Sequence, residues 1–297
     1  MIVYGHHTMS KVAKVIVVAG PTASGKSDFA VELAQKVNGE IISADSRQIY
    51  KGLDIGTGKI TLEEMKGVPH YMLDIAEVGE PFSVAEYKKL AQPIIKDILA
   101  RNKTPIICGG TGQYIDALIY NTETPPVPPN SSLRETLEKK DVDELYAELA
   151  AKDPYRADTV DRYNKVRLIR ALEIVHELGF VPEQKEAKLL YNTELYLMQP
   201  TRELLRERIT KRLEKRLVLG MVDEVKQVME KGFDSTQMKR FGLEYEIIGK
   251  YLEGSLAEEE METELINKSM QYAKRQQTWN KKYLPFANVI NVDNTQF

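Results

Sequence analysis

Gly20-Pro-Thr-Ala-Ser-Gly25-Lys26-Ser27 stands between two segments of different periodicity, and that setting decides the fold. Ahead of it, Lys14 to Ala19 is a short β-branched run that reads as a buried strand. Behind it, Ser27 to Val37 carries apolar residues at Phe29, Ala30, Leu33, Ala34 and Val37, which is helical spacing. Asn38-Gly39 ends that helix. A strand, a loop of the form G-x-x-x-x-G-K-[ST] and a helix together make a phosphate-binding loop. Loop N–H groups and the helix N-terminus converge on one place and favour negative charge there. The expected site for a di- or triphosphate is therefore Gly20, Pro21, Thr22, Ala23, Ser24, Gly25, Lys26 and Ser27. Lys26 adds a point charge, and the Ser27 hydroxyl suits Mg²⁺. Kinases, nucleotide triphosphatases and diphosphate-releasing transferases all need this cradle, so the loop alone does not choose among them.

Outward from the loop, Glu40 to Ala44 and Thr104 to Cys108 read as further strands, with a helical stretch near Val84 to Ala100 between them. Strands alternating with helices imply right-handed crossovers and a parallel sheet. Thr122 to Asn130 (TETPPVPPN) carries four prolines and reads as a linker. Beyond it, Ser132 to about Gly179 is charged, helical and poor in strand signals, with amphipathic stretches at Asp141 to Ala151 and Asn164 to Leu178. Leu195 to Met198 returns to strand, and Arg202 to Lys231 forms long charged helices. The expected architecture is an α/β core like that of P-loop NTPases, with a parallel sheet, a helical insertion domain and C-terminal helices. Residues 1–121 and 194–297 would form the core and 122–193 the insertion. No repeat or low-complexity tract interrupts this pattern.

Three further turns carry candidate chemistry. Asp45 lies just past a strand end, where ligands of open parallel sheets bind. It is placed to hold Mg²⁺, to accept a proton from a nucleophile, or simply to make an Asx turn. Asp54-Ile-Gly-Thr-Gly58-Lys59 and Gly109-Gly-Thr-Gly112-Gln-Tyr114 are glycine-rich. Thr111 in the second would present a hydroxyl at the same sheet edge, or serve only as a strand-to-helix turn. Arg208, Arg212 and Lys215 fall on one helical stripe, which is either a phosphate contact or a solvated face. Lys274, Arg275, Trp279, Lys281 and Lys282 form a second basic cluster with an aromatic residue.

Several stretches in this order resemble the bacterial tRNA dimethylallyltransferases, also called tRNA isopentenyltransferases. They are GPTASGKS, the ADSRQIYKGLDIGTGK run, PHYMLDI at Pro69 to Ile75, GGTGQY, the RALE of Arg170 to Glu173, and AKRQQTW at Ala273 to Trp279. The likeness runs from about Lys14 to about Tyr283. It implies a P-loop core and a helical insertion with an anticodon stem-loop gripped between them. It implies that the loop takes the diphosphate of dimethylallyl diphosphate with Mg²⁺. The implied target is the adenine 3′ of the anticodon, modified on its exocyclic amine. On this resemblance Asp45 is the base at that amine, Thr111 lies near the reacting atoms and Arg212 reaches the diphosphate. The implied tRNA-binding residues are Asp45, Ser46, Arg47, Gln48, Arg167, Arg170, Arg240, Lys274 and Arg275. The chain departs from the family pattern at Val160-Asp-Arg-Tyr-Asn164, at Val166 and at Lys239 to Glu246. A prenyltransferase acting on free adenine nucleotides and a P-loop kinase are the competing readings.

Bulk properties agree. The 297 residues are 42% hydrophobic and 29% charged with a net charge of −3, which argues against a generally basic nucleic-acid coat while leaving room for local basic surfaces; no DNA partner is expected. No stretch approaches the roughly 18 apolar residues that would span a bilayer. Met1 to Ser10 lacks a secretory pattern and reads as a tail, with Met9 as a candidate start. Cys108 is the sole cysteine, so disulfides and a cysteine-rich zinc finger such as eukaryotic relatives carry are excluded within this sequence. It reads as a small buried hydrophobe. His70 reads as structural. A cytoplasmic monomer is expected.

Overall fold

The computed structural model describes residues 13–122, 125–183 and 186–294, so the expected tail at Met1 to Ser10 lies outside the described residues. Two compact units result. One takes in the chain up to Tyr120 and again from Leu189, and the other is Asn121–Lys188.

The first unit begins with β1 (Lys14–Ala19), α1 (Lys26–Val37), β2 (Gly39–Ser43) and β3 (His70–Tyr71). Then come α2 (Val84–Ala100), β4 (Thr104–Gly109) and α3 (Gly112–Ile119). The second unit holds α4 (Ser131–Glu138), α5 (Val142–Lys152), α6 (Pro154–Thr159) and α7 (Lys165–Leu178). The first unit resumes with β5 (Asn192–Gln199), α8 (Arg202–Val218), α9 (Met221–Glu230) and α10 (Ser235–Met238). It closes with α11 (Leu243–Leu252), α12 (Glu258–Asn280) and β6 (Ala287–Asn291).

The strands form one parallel sheet in the order β3-β2-β4-β1-β5-β6. Alternation along β1 splits its side chains between two layers, as the two-residue period of a strand requires. Val15, Val17 and Ala19 join the cluster that includes Tyr87 of α2 and Ile115 of α3. Ile16 and Val18 join the one that includes Ala30, Val31 and Ala34 of α1. Every residue from Val15 to Ala19 is at most 1% exposed, so the unbroken apolar run is what a strand covered on both faces needs. The sequence leaves out β3 and β6. One is two residues long, and the other shows no buried position along ANVIN.

Glu40 near the start of β2 carries a charge into the sheet. Its side chain is 2% exposed. Arg101 meets it with both Nη atoms at 2.6 Å, Lys103 at 2.6 Å and the Tyr71 hydroxyl at 2.8 Å. Hydrogen bonding to Arg101 holds the carboxyl at about 2. A depressed folded-state value means that this stabilisation is complete above the ordinary 4.5 and is lost as pH falls from there toward 2. Glu40→Gln should therefore cost about 3 kcal/mol near neutrality. Urea midpoints measured from pH 7 down to pH 2 should show the gap from wild type closing below about pH 4.5.

In the second unit, Leu137, Leu145, Leu149, Leu168, Leu172 and Val175 form a separate core. Glu173 is buried beside it. It accepts from Arg134 at 2.7 and 2.8 Å, from the Asn130 N–H at 2.8 Å and from Arg170 at 3.3 Å. Burial pushes its carboxyl up, but these donors outweigh it and the net displacement is downward.

Candidate active site

The turns after β1, β2 and β4 open at the same edge of the sheet. Between Ala19 and α1 the chain makes two left-handed steps, Ala23 at φ 58° and Gly25 at φ 81°, and Ser24 donates its N–H to Pro21 O at 3.3 Å. Lys26 folds over its own loop and donates to Pro21 O at 3.3 Å. It makes no ion pair among the described residues, and burial pulls its ammonium below the ordinary 10.5. A lysine held without a counter-ion beside a helix N-terminus is a strong anion site. Cys108 donates its S–H to Lys26 O at 3.6 Å, and burial pushes its thiol up to about 12, so it is no nucleophile.

Gln276 straps the loop from behind. Its Oε1 accepts the Thr22 N–H at 2.8 Å and its Nε2 donates to Gly110 O at 3.1 Å. The sequence pattern assigns Gln276 no role. Its signal is a polar residue on the buried stripe Ala273, Gln276, Asn280 of α12.

Asp45 does two things at once. One oxygen accepts the Arg47 N–H at 2.9 Å, the Asx turn anticipated above. The carboxylate also lines the cavity that holds the phosphate loop. Thr111 sits behind that wall: its Oγ1 accepts the Ser46 N–H at 3.0 Å and donates to Ser46 Oγ at 3.3 Å. It thereby ties the β4 turn to the β2 turn and is not itself among the cavity-lining residues. Burial, with Asp45 nearby, pushes the Tyr272 hydroxyl up to about 12. That neighbour was missed by the sequence pattern.

The cavity measures about 620 Å³, a size suited to a small organic diphosphate. The α8 stripe faces it, with Arg208, Arg212 and Lys215 all on its wall together with Arg216. Arg212 donates from Nη1 to Thr22 Oγ1 at 3.1 Å, and burial pulls its guanidinium below its ordinary value.

Opposite α8 runs the Asp54–Lys59 turn, held by Gln48 and by residues to which the sequence assigns no role. Glu224 of α9 is buried and accepts the N–H groups of Asp54 (2.9 Å), Ile55 (2.8 Å) and Gly56 (2.8 Å), plus the Tyr245 hydroxyl at 2.6 Å. Gly56 O and Gly58 O accept from Arg216 and from Gln48, each at 3.1 Å. Lys59 is occupied by Tyr50 O, Asp54 and Asp74.

The remaining basic candidates are spread out. Arg47 donates to the backbone oxygen of Arg240, which is exposed and lies over the rings of Phe233 and Phe241. Lys274 and Arg275 are exposed on α12, Arg275 over the Tyr272 ring, and both line a shallow cavity with Trp279 and Lys282. In the second unit Arg167 is exposed, whereas Arg170 is engaged by Glu173 and by Val127 O at 2.7 Å. His70 donates from Nδ1 to Val68 O at 2.8 Å, and burial lowers its pKa, which fits its structural reading. In the segment departing from the family pattern, Phe241 and Tyr245 are fully buried. Tyr163 and Val166 in the other departing segments are exposed.

Parallel strands, a phosphate loop and an acidic residue beyond the neighbouring strand define a P-loop-type phosphate-binding α/β protein. The family model for IPP transferase matches residues 48–283, and this chain belongs to that family. A tRNA dimethylallyltransferase of Anoxybacillus flavithermus is 43% identical over 289 residues, covering 96% of this chain and 92% of the relative. Another from Geobacillus thermodenitrificans is 40% identical over 280 residues, covering 92% and 89%. Among solved structures, the tRNA isopentenylpyrophosphate transferase of Bacillus halodurans superimposes with a TM-score of 0.70 at 35% identity, covering 97% of this chain and 92% of its own. A eukaryotic dimethylallyltransferase acting on tRNA gives a TM-score of 0.83 at 29% identity, covering 94% of this chain and 74% of its own.

Proposed function

We propose that this protein transfers the dimethylallyl group of dimethylallyl diphosphate to the exocyclic amine of the adenine 3′ of the anticodon in tRNA, releasing diphosphate. The observation that carries this is Asp45 on the wall of a cavity whose other walls are the phosphate loop and the α8 cations. A carboxylate facing an anion cradle suits a reaction that loses a proton at one end and an anion at the other.

The allylic carbon departs with cationic character, so charge grows on the diphosphate oxygens. Lys26, Arg212 and the loop N–H groups stabilise that charge where it develops. The amine becomes acidic as its new bond to carbon forms, and Asp45 takes the proton. Thr111 acts through Ser46, fixing the turn on which Asp45 stands. Unstacking the target base costs least in a single-stranded loop.

The Ser27 hydroxyl is a hard oxygen donor on this cavity and would hold Mg²⁺, with phosphate oxygens and water completing the shell. When bound, Mg²⁺ would neutralise part of the diphosphate charge. Arg47, Arg240, Lys274 and Arg275 are the tRNA-facing cations of this reading in the first unit, with Ser46 and Gln48 on the β2 turn. Arg167 and Arg170 are those in the second. Among the described residues no helix is long and apolar enough to cross a membrane. A monomer acting in the cytoplasm completes the proposal.

The test mixes protein, Mg²⁺, dimethylallyl diphosphate and unmodified tRNA, then digests and weighs the nucleosides. A prenyl-sized gain on adenosine in tRNA is expected. Gain on free AMP alone, or phosphoryl transfer from ATP without the prenyl donor, would replace this reading with a free-nucleotide prenyltransferase or a kinase.

A glycine position adds a check. Gly58 has φ 62°, and a Cβ there would stand 1.6 Å from Arg216 Nη2 and 1.9 Å from Arg212 Nη2. The arginine ends are flexible, so the clash falls on the cavity rather than the fold. Gly58→Ala should raise KM for the prenyl donor about tenfold or more. It should lower the melting temperature by only about 2–4 °C, from left-handed strain of about 1 kcal/mol.

A further inference from the structure

Arg212 and Arg216 stand one turn apart on α8, and their heads converge. A single point, the place of a Gly58 Cβ, lies within 1.9 Å of Nη2 of both. Two guanidinium groups brought this close repel one another unless an anion joins them. The protein offers little relief. Glu244 approaches Arg216 only at 3.9 Å, and burial pushes its carboxyl up, toward the uncharged form.

Each arginine is anchored in the same way. Arg212 commits Nη1 to Thr22 Oγ1 on the phosphate loop, and Arg216 commits Nη1 to Gly56 O on the facing turn. Nη2 of Arg216 is buried and has no hydrogen-bond partner among the described residues. A buried guanidinium N–H without an acceptor is costly, and such a group calls for an explanation. Both arginines line the cavity that contains Lys26.

We propose that Arg216 is a second diphosphate-binding arginine, which closes a clamp with Arg212 in the cavity that Lys26 also lines. Two forks set side by side match two linked phosphate groups better than one, so the clamp selects diphosphate over monophosphate. Glu224 acts here as a positioning residue: it fixes the N–H groups of the turn whose Gly56 carbonyl orients Arg216. The donor's identity rests on the transferase reading, whereas the clamp requires only a diphosphate.

The experiment compares wild type, Arg216→Met and Arg216→Lys with Mg²⁺ present. Calorimetry follows binding of inorganic pyrophosphate and of orthophosphate, and kinetics give KM for dimethylallyl diphosphate and for tRNA. Arg216→Met should weaken pyrophosphate about tenfold or more and orthophosphate far less. KM for the prenyl donor should rise in parallel, with KM for tRNA unchanged and partial recovery in Arg216→Lys. Pyrophosphate affinity within about twofold of wild type, in a variant that melts like wild type, overturns the clamp. Should Arg216→Met fail to fold, Arg216→Lys decides: an unchanged preference for pyrophosphate over orthophosphate overturns it. A wild type that binds pyrophosphate with this Arg216 dependence but does not prenylate tRNA upholds the clamp and removes the transferase reading.

Discussion

Asp45→Asn will lower the rate of prenyl transfer by about 10²- to 10⁴-fold while leaving tRNA binding nearly unchanged. The substitution isolates one property. Asparagine keeps a side-chain oxygen that accepts the Arg47 N–H, so the Asx turn at 2.9 Å survives. It also keeps the shape of the cavity wall. What it lacks is a basic oxygen for the amine proton. Asp45→Ala removes both proton acceptor and turn, and should lose about a further 1 kcal/mol of stability with a similar loss of rate. Single-turnover transfer with donor and tRNA preloaded separates chemistry from binding. A rate for Asp45→Asn above about a tenth of wild type would reduce Asp45 to its turn.

The parts of this site that could be read from the sequence are those whose cause is local. The phosphate loop is legible because its strand, glycines, lysine and helix are contiguous. Asp45 and Thr111 are legible as residues at strand ends, since parallel topology places neighbouring strand ends together. Thr111 holding Ser46 rather than lining the cavity is a matter of side-chain direction that strand order does not carry. The stripe of Arg208, Arg212 and Lys215 is legible as a face, but helical spacing does not say what a face meets. Arg216, four residues after Arg212, lies on that face too, and only the cavity distinguishes it from a solvated charge. Glu224 was beyond reach. It sits in the charged run MVDEVKQVME and looks like any surface glutamate. Its partners Asp54 to Gly56 lie some 170 positions away in the chain. Tyr245 was hidden for the same reason, in a segment where the sequence showed a departure from its relatives rather than a buried anchor.

Lys26→Ala should cost about 10²- to 10³-fold in transfer rate and weaken donor binding at the same time. Both effects follow from one geometry. The ammonium lies over the phosphate loop and makes no ion pair among the described residues, with Asp45 acting on it only through space, so it contributes to the ground-state diphosphate and more strongly to the departing one. Stability should move in the opposite direction. Burial lowers the Lys26 pKa, so its charged form is disfavoured in the fold and costs stability at every pH below the unfolded value near 10.5. Removing it should leave the melting temperature of the free enzyme equal or higher, which excludes unfolding as the source of the lost rate. Donor affinity in the wild type should fall as pH rises through that lowered value, because the neutral amine no longer attracts diphosphate. The Lys26→Ala profile should lack this limb. A variant whose donor KM and alkaline profile match the wild type would show that the loop N–H groups and α8 hold the diphosphate without the lysine, and would leave the phosphate loop as a scaffold for the arginines.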